Sequence, residues 1–134
     1  MKIIALEGLP NTRKTTTIGL FYQLLLNVGT STNKKRLGGD PKDFSDIVIN
    51  YKNLKIALFS MGDNSTAISQ AIVHYNNQKC DLFICSLSAG TPKIRANNRI
   101  NRFNNTRIPK SITSQILTES QTNNNDANRI FALI

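Results

Sequence analysis

Apolar residues run unbroken at the start of the chain and then recur at intervals of three and four. Ile3 to Leu6 has no polar alternation, which predicts a strand over Lys2–Leu6 covered on both faces. Glu7-Gly8-Leu9-Pro10-Asn11 supplies turn residues. From Lys14 to Val28 the positions Ile18, Phe21, Leu24, Leu25 and Val28 keep helical spacing, and Gly29 is a natural stop. Thr30 to Asp43 is polar, carries Lys34-Lys35-Arg36, and reads as a long mobile connection. Two strand-like runs follow, Asp46–Tyr51 and Lys55–Ser60, and so short a link as Lys52-Asn53-Leu54 predicts an antiparallel hairpin. Ala67, Ile68, Ala71, Ile72 and Tyr75 predict a helix over Asp63–Asn77, with Asp63, Asn64 or Ser65 as its N-cap. Asp81–Ser86 is a further apolar strand.

Beyond Pro92 the pattern weakens. Lys93–Phe103 reads as a basic helix, Ser111–Ser120 as a short helix and Arg129–Ile134 as a last strand, while the asparagine clusters at Asn97–Asn105 and Asn123–Asn128 read as loops. Alternating strand and helix predict a single α/β domain over 1–134. The expected architecture is a three-layer α/β/α sandwich on a mainly parallel sheet with one antiparallel hairpin.

Composition narrows the function classes. With 134 residues, 40% hydrophobic and 19% charged, the chain is long enough for one core, and no apolar run approaches the ~18 residues of a membrane span. Seventeen Lys and Arg against eight Asp and Glu leave a net charge of +9, so anions are the expected partners. Cys80 and Cys85 fit neither a C-x-x-C redox pair nor a zinc set, and His74 is the only histidine. The apolar run so close to Met1 leaves no room for a secretory leader, so a reducing, cytoplasmic setting is expected.

Gly8-Leu9-Pro10-Asn11-Thr12-Arg13-Lys14-Thr15 fits the phosphate-binding template G-x-x-x-x-G-K-[ST] at every fixed position except one, where Arg13 replaces glycine. In such a loop the backbone N–H groups point at phosphate oxygens, the lysine neutralises charge and the hydroxyl holds magnesium. The competing reading is a generic strand-to-helix turn with Lys14 solvated.

On this motif the chain resembles the P-loop NTPases, and Lys14-Thr15-Thr16-Thr17 is similar to the K-T-T-T that opens the first helix in several ATPase branches, including the partitioning and septum-site ATPases. The hairpin, helix and strand from Asp46 to Ser86 look like those of small bacterial ATP-binding proteins. Two departures stand out: Arg13, and Leu9-Pro10 where the partitioning ATPases carry a second lysine. The resemblance implies a P-loop fold that binds ATP with magnesium and acts as a weak ATPase or small kinase. The backbone from Gly8 through Leu9, Pro10, Asn11, Thr12, Arg13, Lys14 and Thr15 to Thr16 would form the cradle, Lys14 would neutralise the phosphates, and Thr15 and Asp63 would serve the magnesium.

P-loop chemistry needs an acid at a neighbouring strand end. Asp63 follows the run Ile56–Phe59, and the same residue could instead cap the next helix. Glu7 is a second candidate, and Asp40 and Asp43 could play a switch-like part. No N-K-x-D motif follows Asp81–Ser86, so adenine is favoured over guanine, and Ser86 and Ser88, at a strand edge where ligands gather, read as turn residues. Arg95, Arg99 and Arg102 share one helical face with Arg107 just beyond. That face can be solvated, close over phosphates, or contact nucleic acid through the basic 93–107 segment. His74, with no companion ligand, reads as structural. The rivals to a nucleotide hydrolase or phosphotransferase are a non-hydrolysing nucleotide sensor and a basic nucleic-acid-binding protein.

Overall fold

The computed structural model describes residues 1–9, 12–38, 41–111 and 118–134. Its sheet is built on β1 (Lys2–Gly8), β5 (Leu54–Phe59), β6 (Leu82–Ser88) and β7 (Asn104–Pro109), with β4 (Phe44–Tyr51) along one side and the short β2 (Thr30–Ser31) and β3 (Lys35–Arg36) on β4. The spatial order is β2-β4-β5-β6-β1-β7. From β5 to β7 all neighbours are parallel, whereas β4 is antiparallel to β5, β2 and β3. The mainly parallel sheet and its hairpin are as the sequence predicts. Lys52 and Asn53 make the hairpin turn with φ of 54° and 58°, positive at both positions as the right-handed strand twist prefers.

Each parallel strand feeds both faces because successive side chains alternate. Ile4 and Leu6 pack with Ile18, Phe21 and Leu25 of α1 (Lys14–Leu26) and with Ala127 and Ile130 of α4 (Glu119–Ala132). Ile3 and Ala5 pack instead with Ile68, Ala71 and Ile72 of α2 (Ser65–Asn77) and with Ala96 and Ile100 of α3 (Ile94–Ile100). Helices therefore cover the sheet in pairs, α1 with α4 and α2 with α3. Full burial of Phe21 on one side and Phe83 on the other stabilises each layer by roughly 1.5 to 3 kcal/mol per side chain.

Four expectations are corrected. Asn123–Asn128 is not a loop and Arg129–Ile134 is not a strand, because both fall largely within α4. The asparagines are accommodated by partners: Asn123 accepts a hydrogen bond from the Thr17 hydroxyl of α1 at 3.2 Å. Buried Asp126 accepts from Ser111 and from Lys110, whose Nζ is 2.9 Å away. The Asn97–Asn105 segment holds part of α3 and the start of β7 rather than one loop. The connection Thr30–Asp43 is tied down where it is described, since β2 and β3 pair with β4 and Asp46 accepts from Tyr22, Ser31 and the Asn33 N–H. Of the helix expected at Ser111–Ser120, residues 112–117 lie outside the described residues, and Glu119 opens α4. Cys80 and Cys85 are both free and buried, and burial pushes the Cys85 thiol up to about 12. Among the described residues no helix is long and apolar enough to cross a membrane.

Candidate functional site

Strands β1, β5 and β6 end at the same sheet edge, and the segments that follow them converge. β1 leads to α1 on one face, while its neighbour β6 leads to α3 on the other. A crevice opens where adjacent strands send their chains to opposite faces, and ligands of open α/β sheets collect there. A cavity of about 370 Å³ occupies this place, lined by Arg13, Lys14, Thr15, Thr16, Lys42, Asp43, Gly62, Asp63, Ser86 and Ser88. Gly62 is favoured by close approach: a Cβ there would lie 2.6 Å from Ser86 Oγ and 3.1 Å from the Ser86 backbone carbon, where the segment after β5 passes β6.

The start of α1 makes one wall. Arg13 has φ 68° and ψ 34° and caps no N–H of the turn. The first intrahelical bond runs from the Thr17 N–H to the Arg13 carbonyl at 3.0 Å, so the N–H groups of Lys14, Thr15 and Thr16 precede it and have no partner within the helix. Lys14 is buried, contrary to the solvated reading. Its Nζ donates to the Leu9 carbonyl at 2.8 Å, and Thr12 donates to the same oxygen at 2.7 Å. Burial lowers the Lys14 pKa below its ordinary value, Asp63 acts to raise it, and Lys110 and Lys93 lower it further. Gly8 ends β1 opposite Ser88 of β6, and Leu9 is exposed. Pro10 and Asn11 of the expected cradle lie outside the described residues, as does Asp40.

The acidic wall comes from distant segments. Asp43, ahead of β4, accepts from the Thr15 and Ser60 hydroxyls, each at 3.2 Å. Asp63 accepts from the Ser88 hydroxyl. It does not cap α2, because Asn64 does so by accepting the Ala67 N–H at 2.9 Å. Ser86 and Ser88 are not the turn residues that the sequence suggests: both belong to β6 and line the cavity. Glu7 is held by Arg107 and does not line it.

The basic face is divided. Arg95, Arg99 and Arg102 line a separate groove of about 360 Å³ with Thr66, Ser69, Gln70 and Asn98. Arg107 is drawn away to Glu7, Asn97 and Asn101. His74 is exposed in the last turn of α2, edge-on to Tyr75. Arg13 pairs outward with Glu119, a contact between loop and α4 that no local sequence signal announces. No family model, curated protein or solved structure matches this chain.

Proposed function

We propose that the protein is a P-loop-type nucleotide-binding protein that takes ATP with magnesium in the cavity at the start of α1 and turns it over slowly. The observation that carries this reading is the meeting of Lys14, Thr15, Asp43 and Asp63 in one cavity beside the unbonded first turn of a helix. A cation and a row of N–H groups suit phosphate oxygens. Magnesium takes oxygen ligands and keeps several waters. The Thr15 hydroxyl, in contact with the Asp43 carboxylate and lining the same cavity as Asp63, would supply oxygen ligands of that kind. Bound there, the ion would neutralise phosphate charge; Thr15 and Asp43 would hold it and Asp63 would hold its water. Lys14 would exchange the Leu9 carbonyl for a phosphate oxygen.

Titration calorimetry with ATP and magnesium tests the reading on the wild type and on Lys14→Ala. One site per chain is expected, with binding lost in Lys14→Ala while the circular dichroism spectrum is kept. Equal affinity in the two proteins would overturn it. Phosphate release faster than that of Lys14→Ala marks a hydrolase, and release at the rate of the variant marks a nucleotide sensor.

A further inference from the structure

A second cavity, of about 530 Å³, adjoins the first and shares Thr15, Thr16, Lys42 and Asp43 with it. Its chemistry differs from that of the phosphate cradle. Tyr22, Phe44 and Pro41 give it aromatic and apolar lining, and Lys34 and Arg36 add cations. The volume lies within the range of small-molecule sites, which are apolar pockets with a few placed polar groups.

Three features shape the space. Lys34, just before β3, and Arg36 within it both line the cavity. The Lys34 ammonium lies 5.2 Å from the Tyr22 ring centre and 5.1 Å from that of Phe44, so a cation stands directly over the aromatic lining. Gly19 of α1 leaves the room, because a Cβ built there meets no atom within 4 Å. Lys34, Arg36 and Lys42 are three cations against the single carboxylate of Asp43 among the lining residues, and that carboxylate already accepts from Thr15 and Ser60.

We propose that this cavity binds a small molecule that joins a flat apolar body to an anionic group. The exposed Lys34 side chain moves off the rings to pair, with Arg36, with the anion, and the body takes its place against Tyr22 and Phe44. An acceptor or co-ligand seated there would share the Thr15 and Asp43 wall with the nucleotide. Tyr22, Phe44, Lys34 and Arg36, which would hold it, lie outside the first cavity, so the site does not require that the cradle hold ATP.

Fluorescence titration with 8-anilinonaphthalene-1-sulfonate, a naphthalene body carrying a sulfonate, tests it. One bound probe per chain is expected, with Lys14→Ala binding it as the wild type does. Gly19→Leu, which fills the space from a helical position, and the exposed pair Lys34→Ala/Arg36→Ala should each weaken the probe at least about tenfold, the loss expected for a charge-assisted contact or a blocked pocket. The pair variant decides the matter if Gly19→Leu does not fold. Unchanged probe affinity in the folded variants overturns the proposal. ATP titration of the same proteins separates the two sites: loss of ATP binding in the wild type leaves this proposal standing, and loss of probe binding leaves the nucleotide reading standing.

Discussion

Arg13 holds the left-handed conformation, φ 68° and ψ 34°, which glycine adopts freely and a side chain adopts at ~1 to 2 kcal/mol. From sequence alone the expectation is that this cost falls on binding, so that Arg13→Gly would tighten ATP about tenfold. The geometry argues otherwise. α1 starts from this residue and the strain is already present in the folded backbone without nucleotide, so a bound state that keeps this helix start would cancel it from the binding free energy. Arg13→Gly should therefore leave the ATP Kd within about threefold, a change worth under ~0.7 kcal/mol. Calorimetry on the variant checks this, and a tenfold gain would place the strain in the bound state alone. Lys14 supplies a pH signature. Its folded pKa is depressed by burial, against the pull of Asp63, so the unfolded chain holds the extra proton between that lowered value and 10.5, and fold stability rises with pH across the window. Phosphate favours the ammonium and raises its pKa, so ATP affinity should fall as pH rises through the lowered value. Titrations at rising pH up to 10.5, in buffers of different ionisation heat, would show the fall together with proton uptake. A flat profile would remove Lys14 from the phosphates.

Two adjacent residues at the start of α2 divide labour that the sequence leaves undivided. Asn64 caps the helix and Asp63 faces the cavity. Asn64→Ala should cost ~1 kcal/mol of stability in a urea curve with ATP binding unchanged. Asp63→Asn should keep the melting temperature and weaken ATP more in magnesium than in a chelator. A reversed pattern would return Asp63 to the cap. The elements that local patterning misplaced are those whose faces are polar. α4 buries Thr122, Asn123 and Asp126 beside Ala127 and Ile130, so its inner stripe does not read as apolar and its asparagines read as loop. One signal was present: Thr118 and Gln121 satisfy each other's backbone partners as a capping box, a pattern visible in sequence as T-x-x-Q. β7 is an edge strand with Ile108 as its only buried residue, too little alternation to register as a strand.

At the scale of the whole molecule the +9 charge favours anionic partners without choosing among them. The nucleic-acid-binding reading would place a phosphate backbone at the Arg95, Arg99 and Arg102 groove. If one binds there, changing the three to Glu should weaken single-stranded DNA sharply and reduce the salt slope by about 2, since each lost contact spares a counterion. A retained slope in a fluorescence-anisotropy titration would place the contact elsewhere. The sequence by itself determined the parts that depend on neighbours along the chain. These are the buried strand β1, the loop and helix after it with Lys14 and Thr15 in their places, the tight hairpin, and the alternation that makes a parallel α/β sheet. Each is encoded in apolar spacing or turn chemistry within a few residues. Only the tertiary structure decided that Asp43 meets Thr15, that Asp63 shares their cavity while Asn64 caps, that Arg13 turns to Glu119, and that Lys34 stands over Tyr22 and Phe44. Those pairings follow from the order in which strands lie side by side and from which face each helix covers. Residues remote in the chain then satisfy one another's polar groups, a condition that local periodicity does not carry.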